Sequence, residues 1–358
     1  MKCAFVDLGR HYGGAEYYLI SLITAWIEAG NDAIILAKQG SGFAKKITGI
    51  FGESRVLCVG YTFKNLKNSK NFLLQNGIDI IHINGINSGL FIWAIGINIP
   101  KVTTVHSDAN MDRIEKPFVI RKLFVIAEKF CLKKSNSIIV VSEAIKNSLV
   151  SRKISEKKII TINNGIQVID YPKKHIRNDS DMELKVCYAG RLEEVKGCGY
   201  LLRALELCKD YRISCDIYGE GSLKNTLVQM VREFNIESMV CFKGYSNAMR
   251  DLLPNYDVLV MPSLFEASPL TILEAMNART LVIASEVGGI PFIIDDKKNG
   301  YMFQAKNYEK LASILREIYK NPNEQQIIIE NAYNYFINNY SFDVMRDRTF
   351  NVLKEEKN

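Results

Sequence analysis

Short apolar runs alternate with amphipathic stretches from one end of the chain to the other. The runs at 2–8, 33–37, 79–83, 101–106, 137–141 and 159–162 have the length and β-branched content of strands buried on both faces. Between them, 15–29, 117–134 and 143–151 repeat apolar positions with the helical period. The rhythm breaks at 171–183, a polar, proline-containing run that reads as a linker. It then restarts, with strands predicted at 185–189, 214–218, 239–242, 257–261 and 281–284. Helices are predicted at 199–209, 222–234, 269–277 and 308–319. Strand–helix alternation implies parallel sheets with right-handed crossovers. The expectation is an α/β protein of two Rossmann-like parallel-sheet domains, 1–170 and 184–335, whose strand ends face across a cleft. An aromatic-rich helical tail begins near 323, and its final part, 336–358, is expected to pack back on the first domain as a strap.

Size and charge refine this picture. A chain of 358 residues with 47% hydrophobic and 24% charged residues is long enough for two separate cores. The net charge of +7 is uneven: residues 1–170 hold 22 Lys/Arg against 13 Asp/Glu, the rest 24 against 26. A first half this basic suits an anionic partner, and it reads equally as a solvated lysine-rich surface. Its lysines are dispersed rather than interleaved with stacking aromatics, which argues against nucleic acid. The eight cysteines form no Cys-x-x-Cys pair, and several sit inside apolar strand patterns. That pattern points to a reducing compartment, without a disulfide framework or a zinc site. The chain opens on a strand pattern rather than a signal peptide, and the longest apolar run, 90–99, is too short to span a bilayer. A cytoplasmic protein is expected, with surface contact at the cytoplasmic face of the inner membrane as the closest approach to lipid. The basic, amphipathic stretch 117–134 suits either anionic lipid or a core-facing helix with a basic outer face.

The candidate chemistry centres on the segment from Asp257 to Met276. An apolar run there closes in a small polar turn, and a helix opens with Ser268 as N-cap and Pro269 as first helical residue. The N–H groups of Leu270 and Thr271 would face an anion beyond the strand end. Glu266 in the turn and Glu274 in the helix would lie on the order of 10 Å apart, at ~1.5 Å rise per residue. Glycosidase carboxylate pairs are closer, at roughly 5–9.5 Å. The spacing suits two acids gripping hydroxyls at opposite ends of a phosphate-bearing ligand. Gly190-Arg191 and Lys196-Gly197 bracket a loop after the first strand of the second half, a cation pair suited to a diphosphate. Gly13-Gly14-Ala15-Glu16 is a strand-to-helix turn where backbone can approach phosphate, and Tyr218-Gly219-Glu220-Gly221 is another that would let backbone approach a ligand. The first lacks dinucleotide-fingerprint spacing. Asn164 ends the last strand of the first half. His106 ends a strand beside a polar turn; alone it reads first as a satisfied structural histidine, and in a cleft as a partner for a sugar hydroxyl. No histidine spacing suggests a metal, and two cations on a diphosphate would take the place of Mg²⁺.

In their order along the chain, these motifs resemble the retaining glycosyltransferases of family 4, which have the GT-B fold. The resemblance covers nearly the whole chain, and the Glu266/Glu274 element with the upstream Arg191 and Lys196 is its most specific part. It implies that Arg191 and Lys196 bind and stabilise the donor diphosphate, Glu266 contacts donor-sugar hydroxyls and Glu274 holds the ribose. It places Gly14, Gly190, Gly219, Glu220, Ser268, Pro269, Leu270 and Thr271 around the donor, and His106 beside the transferred sugar. Gly13, Glu16 and Asn164 fall on the acceptor side. The catalytic set is then His106, Arg191, Lys196 and Glu266. The implied reaction moves a sugar from a nucleotide diphosphate sugar to a saccharide or lipid-linked saccharide, with retention and without metal or cofactor, in bacterial surface polysaccharide assembly. Val195, Gln167 and Phe292 stand where the family commonly has acids. A nucleotide-sugar epimerase of similar architecture and a catalytically idle sugar-nucleotide-binding subunit are the alternative readings.

Overall fold

The computed structural model describes residues 1–9, 14–107, 118–172, 183–266 and 269–357, with backbone alone at 14, 15, 17, 118, 119 and 121. Most of the expected linker, together with Gly13 and Ser268, lies outside the described residues. The chain divides into two compact units, Met1–Asn164 with Met345–Asn358, and Gly165–Val344.

Unit 1 is built on seven parallel strands: β1 (Lys2–Asp7), β2 (Asp32–Lys38), β3 (Val56–Val59), β4 (Ile80–Asn84), β5 (Lys101–Val105), β6 (Ser137–Val140) and β7 (Ile159–Thr161). Their order in the sheet is 3-2-1-4-5-6-7. The crossovers are α1 (Gly14–Glu28), α2 (Gly42–Phe51), α3 (Phe63–Gln75), α4 (Gly85–Ile95), α5 (Phe118–Lys133) and α6 (Glu143–Ser151). Central strands such as β1 are buried on both faces, which explains their unbroken apolar sequence. Ser41, Thr62 and Ser142 cap α2, α3 and α6 by accepting the N–H three residues on. The apolar run 90–99 forms the end of α4 and the turn beyond it, with Phe91, Ile92 and Ile95 in the core.

Unit 2 repeats the plan with β8 (Leu184–Ala189), β9 (Ile213–Tyr218), β10 (Val240–Gly244), β11 (Val258–Met261), β12 (Leu281–Ser285) and β13 (Tyr301–Phe303), in the order 10-9-8-11-12-13. Its helices are α7 (Cys198–Glu206), α8 (Lys224–Glu233), α9 (Met249–Leu252), α10 (Leu270–Asn277), α11 (Tyr308–Lys320) and α12 (Gln325–Tyr340). The pattern gave no strand at β3 or β13. Both are edge strands of only four and three residues, too short for an apolar run to stand out. Strand β3 shows Cys58 to solvent, whereas Tyr301 and Phe303 of β13 are buried.

The tail is two helices with different allegiances. Phe336 and Tyr340 of α12 are buried in the core of unit 2, and Ile166 bonds backbone to backbone with Tyr340 and Phe342 at 3.0 and 2.8 Å. Residues 336–344 therefore belong to unit 2 rather than to a strap on unit 1. The last helix, α13 (Phe342–Glu355), lies within unit 1 from Met345 onward. There the Phe350 ring meets Trp26 edge-on at 4.8 Å, Ser137 bonds Glu356, and Lys357 pairs with Asp79 at 3.2 Å.

In each sheet the strand order reverses once, between β1 and β4 and between β8 and β11. Ligands of open α/β sheets bind beyond the carboxyl strand ends at such reversals. The register in unit 1 sets Asp7 opposite Asn84 and Asn84 opposite Thr104 at that end.

Candidate active site

In unit 2, the loops leaving β8 and β11 are locked together at the reversal point. The β8 loop makes one turn of 3₁₀ helix, Glu194–Lys196, which ends at Gly197 with φ +67°. A Cβ there would stand 2.0 Å from the Pro262 carbonyl oxygen, so only glycine lets the β11 loop lie this close. Leu264 N–H donates to the Val195 carbonyl at 2.8 Å and completes the clasp. Its product is an ion pair, with Lys196 Nζ 2.6 Å from Glu266 Oε1. Ser263, itself buried, donates to the same oxygen at 2.8 Å, and Ser285 donates in turn to the Ser263 carbonyl. Glu266 Oε2 has no hydrogen-bond partner among the described residues. The β12 loop braces the acid from behind: Gly289 N–H donates to the Glu266 carbonyl at 2.8 Å. Gly288, at φ +55°, lies so close that a Cβ would sit 1.9 Å from that carbonyl oxygen.

The sequence places Lys196 on the diphosphate and Glu266 on the sugar as separate grips. In the structure they form one unit. A Cβ on Gly219 would meet the Gly190 carbonyl oxygen at 1.9 Å, so this turn packs closely on the β8 loop. Glu220 pairs with Lys224 at 2.8 Å on the exposed first turn of α8. Arg191 is exposed, and its guanidinium forms no ion pair among the described residues.

Helix α10 begins at Leu270, and Pro269 is its N-cap, with ψ 95° and no side-chain cap. The start expected at Pro269 is thus one residue early. The N–H groups of Leu270 and Thr271 remain in the first turn, where no intrahelical acceptor exists. Glu274 accepts from Arg250 Nε at 3.0 Å, and the Arg250 carbonyl accepts from the Tyr171 hydroxyl at 3.0 Å. Nothing in the local sequence marks Arg250, because it reaches Glu274 from α9 by tertiary folding alone.

In unit 1, a buried polar chain ends at His106. Asp7 Oδ1 accepts from Gly9 N–H at 2.7 Å, and Oδ2 accepts from Asn84 Nδ2 at 2.5 Å. Asn84 Oδ1 then faces His106 Nε2 at 2.6 Å. An amide oxygen can only accept, so Nε2 carries the proton and Nδ1 keeps its lone pair. Burial pushes the imidazole down to about 4, which leaves it neutral near pH 7. Tyr18 packs edge-on against the ring at 5.1 Å, and burial pushes its hydroxyl up to about 12, partly offset by Thr349 and Thr104. Burial also raises Asp7 above the ordinary carboxylate range, partly offset by Asn84 and Gly9 and reinforced by nearby Glu16. The acid inside the apolar run Phe5-Val6-Asp7-Leu8 was the available signal for this chain. Gly14 opens α1, with Glu16 in its first turn. Asn164 follows β7, its Oδ1 buried without a partner among the described residues.

Among the described residues, no cluster of three or more His, Cys, Asp or Glu is placed to hold a metal ion, and no helix is long and apolar enough to cross a membrane. Residues 12–168 match the family model Glycosyltransferase Family 4, and residues 171–335 match Glycosyl transferases group 1. A poly(ribitol-phosphate) alpha-N-acetylglucosaminyltransferase of Staphylococcus aureus (strain COL) is 26% identical over 315 residues, 85% of this chain and 59% of its own length. An uncharacterized glycosyltransferase of Methanocaldococcus jannaschii is 29% identical over 235 residues, 62% of this chain and 60% of its own length. The chain thus spans about 60% of the length of these two relatives. The crystal structure of Anabaena HepE in complex with UDP shares the fold, with a TM-score of 0.83 and 18% identity over 99% of this chain and 100% of its own. The two family matches lie in tandem on the two parallel-sheet units, and the chain belongs to the family 4 glycosyltransferases of GT-B fold.

Proposed function

We propose that the protein is a retaining, metal-independent glycosyltransferase acting in bacterial surface polysaccharide assembly. It would move a hexosyl or N-acetylhexosaminyl unit from a nucleoside diphosphate sugar to a lipid-linked saccharide. The observation that supports this best is the Lys196–Glu266 pair at the β8/β11 reversal, in the same unit as a helix start without a side-chain cap. A cation, backbone donors and a carboxylate in one unit match a diphosphate joined to a sugar.

On this reading, donor binding brings the diphosphate to Arg191, Lys196 and the first turn of α10. Glu266 keeps Oε1 on Lys196 and Ser263 and offers Oε2 to sugar hydroxyls. Glu274, with Oε1 on Arg250, offers its other oxygen to the ribose. His106 Nδ1 accepts from a hydroxyl of the transferred sugar. In the reaction the bond from the anomeric carbon to the diphosphate oxygen breaks, and the acceptor oxygen bonds to that carbon on the same face. The acceptor proton passes to the departing phosphate oxygen. Arg191 and Lys196 offset the negative charge gathering there, which is where a fixed cation contributes most. No side-chain nucleophile is required.

The name of the staphylococcal relative supports an N-acetylhexosamine donor and a cell-surface polymer, and the basic first half supports an anionic acceptor. The test is incubation of pure protein with a panel of nucleotide sugars and a lipid-diphosphate saccharide. A retained anomeric product is expected by NMR, with transfer lost in Arg191→Ala and Glu266→Ala. Undiminished transfer in both variants, or release of epimerised sugar without acceptor, overturns the proposal.

A further inference from the structure

Helices α3, α4 and α5 form one layer on unit 1, in contact α3 to α4 and α4 to α5. Its charge is one-sided. Helix α3 has Lys64, Lys67 and Lys70 and no acid, and α4 has no charged residue at all. The single acid of α5, Glu128, is turned inward and buried, 2.5 Å from Arg152. Lys122 and Lys133 of α5 are exposed, as is Lys134 just beyond it.

Beside these lysines lies apolar surface that the core does not use. At about 100° per residue, Leu123, Ile126 and Phe130 fall within roughly 60° of one another, between the lysine flank and α4. They are 61%, 57% and 40% exposed. On α4, Trp93 is 51% exposed and meets Phe130 edge-on at 5.0 Å, so the two helices present one aromatic ridge. Trp93 also lines a groove of about 590 Å³ with Lys101 and Lys134. A core-facing helix with a merely solvated outer side would put lysine or glutamate at these positions. Apolar side chains flanked by cations, with no outward acid, are complementary to a surface that is negative at its face and apolar just beneath it.

We propose that the α4–α5 ridge docks on an anionic lipid bilayer, with Trp93 and Phe130 at the headgroup level and the lysines of α3 and α5 on lipid phosphates. The proposal concerns the lipid partner suggested by the transferase reading, but it stands on this surface alone.

The experiment needs no sugar nucleotide, so its outcome is independent of that reading. Whole protein is mixed with phosphatidylglycerol or phosphatidylcholine vesicles, floated on a density gradient and followed by tryptophan emission. The chain has two tryptophans, and Trp26 is fully buried, so a blue shift on binding reports Trp93. Flotation with phosphatidylglycerol, release by high salt and a blue shift that Trp93→Phe abolishes are expected. Leu123→Glu with Ile126→Glu should weaken partitioning roughly tenfold or more, in protein whose melting temperature matches the parent. Absence of flotation at low salt, equal binding to phosphatidylcholine, or undiminished binding of the doubly substituted protein overturns the proposal. A dimer that those two substitutions dissociate also overturns it, because a second copy would then be what covers the ridge.

Discussion

Replacing Gly288 with alanine separates what this position contributes to stability from what it contributes to placing Glu266. A φ of +55° costs an L-residue about 1–2 kcal/mol. The new Cβ would stand 1.9 Å from the Glu266 carbonyl oxygen, and both loops are backbone there, so one must withdraw by roughly 1 Å. Overpacking of that kind costs about 1–3 kcal/mol, giving a total of about 2–5 kcal/mol. Gly244→Ala is the control in the same unit. Its φ is +74°, but its nearest neighbour is the movable Glu220 Oε1 at 3.3 Å, so the backbone cost of about 1–2 kcal/mol stands alone. Both tryptophans lie in unit 1, so unit 2 is best followed by circular dichroism in urea. Gly288→Ala should fall below Gly244→Ala by about 1–3 kcal/mol. Transfer should drop on the order of a hundredfold, the usual effect of an ångström's displacement near the reacting atoms. Equal stability losses in the two variants, or full transfer by Gly288→Ala, would refute the packing argument.

Three further outcomes are expected. Burial holds His82 near 3 and His106 near 4, against ~6.5 unfolded, so as pH falls the unfolded chain takes up protons first. The stability of unit 1 should thus be complete above pH ~6.5 and decline towards ~4, by at most ~2.7 kcal/mol per pH unit for two imidazoles. Tryptophan-monitored urea unfolding reads this, and a midpoint unmoved between pH ~7 and ~5 would contradict it. Arg250→Ala should weaken nucleotide binding about tenfold by leaving Glu274 unoriented; calorimetry that finds parental affinity would dismiss that role. Of the eight cysteines, Cys58 and Cys241 are exposed and six are buried, so a thiol reagent should label two in the folded protein and the rest on unfolding. Early labelling of Cys187 or Cys215 would be incompatible with the burial described.

The architecture was legible because strands buried on both faces are predominantly apolar and alternate regularly with helical patterns. A short apolar run alone, such as 90–99, which begins within α4, can also be helix. Edge strands such as Val56–Val59 escape although apolar, because four residues are too few for a pattern to separate a strand from other short apolar runs. At the site, Lys196 and Glu266 could be found because turn glycines flank one and a helix follows the other. Their pairing could not, since it depends on two loops meeting through Gly197 and Pro262, far apart in sequence. Arg250 and Asn84 were invisible for the same reason, each defined by a partner on another element. The turn glycines stand out in the sequence, but which backbone Gly197, Gly219 and Gly288 approach does not, because that backbone belongs to another loop.

The placement of α13 has a bearing on how the protein is made. Trp26 is translated early, yet the ring that covers it, Phe350, follows the whole of unit 2. Unit 2 is contiguous in sequence, whereas unit 1 has an uncovered aromatic face until the last helix arrives. The domain begun first is therefore finished last, and a nascent chain stalled before residue 345 would expose a sticky patch that invites chaperones.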